Sequence, residues 1–367
     1  VAVLGGVLLL QPLAPRLPGP AAELVRSLGD SRLSRPDEAL LERGYYEELT
    51  LKSGSFAQWQ APAQRDQRAG PALREAGAYL PREDFLAEEL APNLALEAWG
   101  ERFTTNRWGM RDRDYERDKA DGSHRIAVLG PSFAMGFAVG DGEAFEAVLE
   151  ERLNRDHAGG RFARYEVLNF SVVNYTPIHY AVVLEERAAA FRPDLVLVAV
   201  DPFFRSKMLQ AIVGALRAGL PLPFAELDSL VRAARVDRDT DPTTALRRLS
   251  LEGDRILDLT FARLGRTAAL AGAKLALVVV RMPTTRGGSD RGALALAAGH
   301  GFEIFDLSDA YQGHDEDTLA VSGEDHHQNP AGHRLLAEAL YRQLVARNEP
   351  LGLGFGARPA APAGDRR

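Results

Sequence analysis

No cysteine occurs among the 367 residues. Disulfides, thiolate metal sites and a cysteine nucleophile are therefore excluded, and the composition carries no mark of a redox compartment. Clusters of positive charge are missing too. The 44 Lys and Arg stand against 51 Asp and Glu, a net charge of −7, with the arginines scattered among acids. That surface has no electrostatic footprint for nucleic acid, and no such partner is expected. Internal repeats are absent, and the turn after Leu129 has neither the Gly-rich cradle nor the Lys of a phosphate-binding loop. Also lacking is an apolar run of the roughly 20 residues that a membrane span requires. The short uncharged stretch Val1–Leu10, in a chain that does not start with Met, is expected to be the end of a truncated membrane anchor or signal segment over residues 1–20. The competing reading is a buried core strand.

What is present is ordinary for a globular chain: 46% hydrophobic and 26% charged residues suffice for a good-sized core without covalent staples. Residues 21–103 mix short helical patterns with polar, Pro-containing stretches and read as a stalk or accessory region. From residue 104 the pattern tightens. Apolar runs at Ile126–Leu129, Glu166–Leu168, Asp194–Val200, Lys274–Val280 and Gly301–Asp306 alternate with helical patterns, such as Phe145, Val148, Leu149 and Leu153 on one stripe. Continuous rather than alternating apolarity marks strands buried on both faces of a parallel sheet, so residues 104–346 are expected to form a doubly wound α/β domain. Residues 203–250 read as a helical insertion, broken at Pro221, Pro223 and Asp241-Pro242. The tail 347–367, rich in Gly, Ala, Pro and Arg, is expected to be disordered.

Two stretches carry chemistry. In Arg125-Ile-Ala-Val-Leu-Gly-Pro-Ser-Phe-Ala-Met-Gly136 an apolar strand ends in a tight turn that leaves the Ser132 hydroxyl at its carboxyl end, just before a helix. Far downstream, Gly323-Glu-Asp-His-His-Gln-Asn-Pro-Ala-Gly-His333 sets acids beside imidazoles ahead of the closing helix. A serine hydroxyl is a poor nucleophile until a base takes its proton, and that base needs a partner to hold its tautomer. Serine early and acid–His late suggest acyl chemistry. His326 reads as a loop side chain and His333 as a residue near the helix start; no zinc-ligand spacing is matched, so neither metal nor cofactor is expected.

These stretches, with the lead-in Asn106-Arg-Trp-Gly-Met-Arg-Asp112, resemble the SGNH or GDSL-type hydrolase superfamily over residues 104–346, in its membrane-anchored, acyltransferase-associated form. The resemblance implies a five-stranded parallel sheet between helices, a flavodoxin-like three-layer sandwich. It makes Ser132 the nucleophile, His327 its base, and Glu324 (by the family's spacing) or Asp325 (by residue type) the orienting acid. The choice between the two acids is open at this level. Family oxyanion holes use the serine amide, a glycine amide and an Asn side chain; here Ser132, Asn174 and Asp201 take those places. Two departures follow. Pro131 replaces the family's Asp before the nucleophile, and Asp201, when ionised, cannot donate a hydrogen bond to an oxyanion. Three resolutions stand: a protonated Asp201, a donor from Arg205 or Ser206 instead, or another task for Asp201.

The leading expectation is an extracytoplasmic serine esterase or O-acyltransferase that acts on acylated carbohydrate or lipid. A membrane-bound O-acyltransferase would be its partner, and the N-terminal segment its tie to the membrane. The alternative is a binding or structural subunit that keeps the scaffold without turnover.

Overall fold

The computed structural model describes residues 70–285 and 288–356. The expected anchor (1–20), most of the expected stalk, and the end of the tail lie outside these residues. The core is one parallel sheet of five strands: β5 (Ser123–Leu129), β6 (Arg164–Asn169), β7 (Leu195–Val200), β8 (Lys274–Val279) and β9 (Phe302–Asp306). Their order is β6-β5-β7-β8-β9. Every residue of β5 and β7 is buried, as the apolar run of β7 and the Ile126–Leu129 half of β5 require of central strands covered on both faces. This is the doubly wound five-stranded architecture that the resemblance implies.

The order fixes where a site can lie. From β5 the chain crosses to β6 on one side and then returns past β5 to β7, so the crossovers diverge between β5 and β7. A crevice opens at the carboxyl ends of strands at such a switch point. The β5–β6 crossover is α3 (Phe145–His157), which packs with the closing helix α10 (Pro330–Ala346). Phe145, Leu149 and Leu153 meet Leu336, Leu340 and Leu344 in one buried cluster. Each such side chain contributes about 1.5–3 kcal/mol on full burial. The β6–β7 crossover is α4 (Pro177–Glu186), packed with α8 (Gly253–Leu270); α9 (Arg291–Gly299) joins β8 to β9.

Helix α4 ends at Glu186, and the chain continues into a single 3-10 turn, Ala188–Phe191, before β7. The insertion is three helices, α5 (Phe204–Ala218), α6 (Ala225–Ala233) and α7 (Pro242–Leu251), with Gly219 at φ +73° closing the first. Before the sheet, a short helix α1 (Gly70–Glu75) leads into two antiparallel pairs, β1 (Tyr79–Pro81) with β2 (Glu88–Leu90), and β3 (Ala95–Ala98) with β4 (Glu101–Thr104). The tail requires a correction: residues 348–356 pack instead of being disordered. Helix α11 (Asn348–Leu351) ends at left-handed Gly352, Leu351 and Leu353 are buried, and Phe355 stacks on His157 at 3.9 Å. Among the described residues no helix is long and apolar enough to cross a membrane.

Candidate active site

The turn that carries Ser132 begins where β5 runs out. A Cβ on Gly130 would lie 2.4 Å from the Ala134 Cβ and 3.1 Å from that of Ala199, so only glycine lets the turn close against β7. Pro131 is extended (φ −89°, ψ −156°), and its carbonyl accepts from the amides of Ala134 and Met135 at 3.0 and 2.9 Å. Proline costs nothing here, because the missing N–H is not one the turn uses. Ser132 opens the four-residue helix α2 (Ser132–Met135), which Gly136 ends at φ +82°. An amide in the first turn of a helix has no intrahelical acceptor, so that of Ser132 is left to serve a ligand.

His327 arrives on a loop whose shape follows from its sequence. Ala320 bridges Gln328, and the Val321 amide donates to the His327 carbonyl at 2.9 Å. The Ser322 hydroxyl accepts from the amides of Glu324 and Asp325. Asn329 caps α10 by accepting from Ala331 and Gly332 amides while donating to the carbonyls of Thr318 and Ala320. A Cβ at Gly332 would strike the Leu319 carbonyl oxygen at 2.8 Å. His327 is thereby set above the sheet edge with its Nε2 2.7 Å from Ser132 Oγ, although 195 residues separate them.

Of the two acids, Asp325 is the one that meets His327. Its Oδ1 lies 2.6 Å from His327 Nδ1 and accepts the His327 amide at 3.0 Å. Burial alone would raise its carboxyl, but the hydrogen bonds and charge of His327 outweigh burial and hold it below the usual carboxylate range. With Nδ1–H donated to Asp325, Nε2 is the free acceptor facing the serine. Glu324 is exposed. The ring of His327 also rests against Phe137, centroids 4.4 Å apart, and Phe137 packs on Trp99 at 4.7 Å.

The remaining predicted positions separate. Asn174 is exposed at φ +65°, in the left-handed region that Asn tolerates where most residues do not. It lies beyond β6, which neighbours β5, so its loop and Ser132 share one sheet edge. Asp201 follows β7 on the other side of β5. Its oxygens are occupied: Oδ1 accepts the Phe203 amide at 2.8 Å, and Oδ2 lies 2.6 Å from Lys207 Nζ. Asp201 is thus a brace at the start of α5, neutralised by Lys207, and does not take the donor role of the family Asn. Nor are Arg205 and Ser206 spare donors: Arg205 pairs with Asp254 and Asp290, and Ser206 Oγ donates to the Phe203 carbonyl at 2.9 Å. His326 meets Thr284 Oγ1 through Nδ1 at 2.6 Å, and the wholly buried His333 accepts the Phe145 amide at 3.1 Å. Among the described residues no three His, Asp or Glu side chains are grouped to hold a metal.

Supporting residues escaped the sequence reading. Asn169 donates through Nδ2 to the Ala134 carbonyl at 2.9 Å and to Glu146 Oε1 at 2.8 Å, bracing the turn. Glu146 is buried, and desolvation pushes its carboxyl up to about 7 against the opposing bond from Asn169. Lys207, six residues after Asp201, could have been paired with it only once α5 was known to start at Phe204.

No family model matches the chain, and no curated protein matches it. Among solved structures it is similar to TesA (18% identity, covering 62% of this chain and 99% of that one, TM-score 0.38). It is also similar to a two-domain esterase active on acetylated mannans (13%, 65% and 52%, TM-score 0.41) and to the lipase/acylhydrolase from Enterococcus faecalis (14%, 61% and 96%, TM-score 0.36). These likenesses are partial, and the chemistry of the site rests on its own atoms.

Proposed function

We propose that this chain is a serine ester hydrolase of SGNH type, working through Ser132, His327 and Asp325. The observation that carries the reading is the unbroken relay from Ser132 Oγ to His327 Nε2 at 2.7 Å and from His327 Nδ1 to Asp325 at 2.6 Å. Both links lie within the range in which a positioned base activates a hydroxyl.

In this mechanism His327 Nε2 takes the Ser132 proton as Oγ bonds to the acyl carbon, and the carbonyl π pair moves onto oxygen. The amides of Ser132 and Asn174 donate to that oxyanion. Asp325 stabilises the imidazolium without taking its proton. Collapse of the tetrahedral species expels the alkoxide, which receives the proton from Nε2, and leaves an acyl-serine. Water, or a sugar hydroxyl in the transfer variant, then enters by the same steps in reverse. The Asp201 charge, which favoured a scaffold without turnover, is held by Lys207 at 2.6 Å and does not stand bare beside the oxyanion.

The finer reading is that the ester is an acylated carbohydrate or lipid and that the apolar Val1–Leu10 stretch belongs to an extracytoplasmic address. Hydrolysis of p-nitrophenyl acetate by the purified chain, with Ser132→Ala as control, tests the core of the proposal. Turnover by the parent that is lost in the variant supports it; equal rates for both overturn it.

A further inference from the structure

The lead-in Asn106–Asp112 is not used by the relay, yet it is built for one purpose. The Asn106 side chain accepts from the Trp108 and Met110 amides and donates to the Arg113 carbonyl. Gly109, at φ +71°, passes so close to Leu90 that a Cβ would lie 2.5 Å from its carbonyl oxygen. The folded loop aims two adjacent side chains inward. Arg111 is 5% exposed, and among the described residues no carboxylate forms an ion pair with it. Its guanidinium instead donates to the carbonyls of Met135 (3.2 Å), Gly136 and Val139, and lies 4.6 Å over the Phe103 ring. Asp112 accepts the Asn169 amide at 3.0 Å, and Asn169 in turn holds the Ala134 carbonyl.

A buried guanidinium that among the described residues has no carboxylate in ion-pair contact, only the longer-range charges of Glu146, Asp141 and Glu143, is costly, and it persists where its five rigid donors hold something that matters. Its targets are the carbonyls on either side of Phe137, whose ring supports the His327 imidazole. Gly136 is shaped for the contact: a Cβ there would stand 2.8 Å from Arg111 Nη1. One cation thus grips the end of the helix that Ser132 begins and the turn on which its base rests.

We propose that Arg111 is a positioning residue, which holds the 135–139 turn so that Ser132 and His327 keep their hydrogen-bonded register. This rests on the serine-esterase reading for its kinetic arm. Arg111 touches no reacting atom; it acts through the turn and Phe137.

The test compares the full chain with Arg111→Met, Arg111→Lys, Phe137→Leu and the Arg111→Met/Phe137→Leu double variant. The readouts are kcat and KM on p-nitrophenyl acetate, the rate of fluorophosphonate labelling, and the low-field His327 Nδ1–H proton resonance. Expected for Arg111→Met is a fall in kcat of about 30-fold or more with KM within about twofold, a parallel fall in labelling, and a shifted or broadened imidazole resonance. Arg111→Lys, which keeps the charge and loses the fork, recovers only a minor part. The double variant is about as slow as its slower parent, because both changes act through one turn. An Arg111→Met chain that melts earlier but keeps kcat within about threefold, or a fully additive double variant, overturns the proposal. If Arg111→Met does not fold, Arg111→Lys and Gly136→Ala carry the same readouts. If the parent itself neither turns over ester nor labels, the esterase reading fails, and the resonance decides alone: unmoved in the Arg111 variants, it overturns the positioning role.

Discussion

Replacing Asp325 by Asn, beside Glu324→Gln, asks which acid holds the base. In the structure the Asp325 carboxylate accepts two bonds from His327, from the amide and from Nδ1. Asn offers one oxygen and one NH2. If its oxygen stays on Nδ1–H, the tautomer survives and the loss is that of a charge-assisted bond, about 1.5–3 kcal/mol, or about 10- to 150-fold in kcat. If its NH2 turns to Nδ1 instead, the imidazole must carry its proton on Nε2, which can then no longer accept from Ser132. The loss then grows to the order of 10,000-fold. Both bonds converge on Oδ1, so an Asn oxygen in that place serves the amide and Nδ1–H together, and the smaller figure is the expected one. Initial rates on p-nitrophenyl acetate at pH 7.5, with labelling as a second measure, should show a fall of at least about 10-fold for Asp325→Asn. Glu324→Gln should stay within about twofold, since Glu324 is exposed beyond the relay. Equal losses in both variants, or an Asp325→Asn enzyme within about threefold of the parent, would refute the assignment.

Lys207→Met should remove the cation on Asp201 and leave a bare carboxylate at the carboxyl end of β7, the strand beside the one that leads into Ser132. We expect kcat to fall about 10-fold or more, with partial recovery in the Lys207→Met/Asp201→Asn double variant, read by the same ester assay. Glu146 titrates near 7 in the folded chain and near 4.5 when unfolded, so between those values the folded state binds the extra proton. Its contribution is therefore present at low pH and lost as pH rises through about 7, by up to about 3 kcal/mol. Over the same range Glu146→Gln should gain in melting temperature relative to the parent; a parallel pH dependence in the two chains would contradict this. Gly130→Ala, whose Cβ meets Ala134 and Ala199, should cost about 1–3 kcal/mol in denaturant unfolding and lower kcat with it.

Legibility in the sequence followed the range of each interaction. The β7 run Leu195–Val200 declares a strand buried on both sides by itself, and Gly130, Ser132, His327 and Asn329 stand in local patterns whose geometry is local too. Choosing Asp325 over Glu324 was not possible from spacing, because the answer depends on how Ser322 and Val321 fold the loop back on itself. The β3–β4 hairpin hides because its strands have four residues each and its two-residue turn, Trp99-Gly100 at φ +58° and +80°, has only the lone glycine to announce it, with a bulky Trp in the other left-handed place. Arg111 stands in a legible motif, but the carbonyls it serves are 24 to 28 residues away, across a fold that only tertiary packing creates. The tail misled because Gly, Ala, Pro and Arg dominate its composition, whereas two buried leucines determine its packing.

Intact-protein mass spectrometry after fluorophosphonate treatment, with the modified peptide sequenced, tests the central claim most directly. A single adduct on Ser132, absent from Ser132→Ala and slowed in Asp325→Asn, is the predicted result. An unmodified chain, or an adduct on any other hydroxyl, would contradict the account.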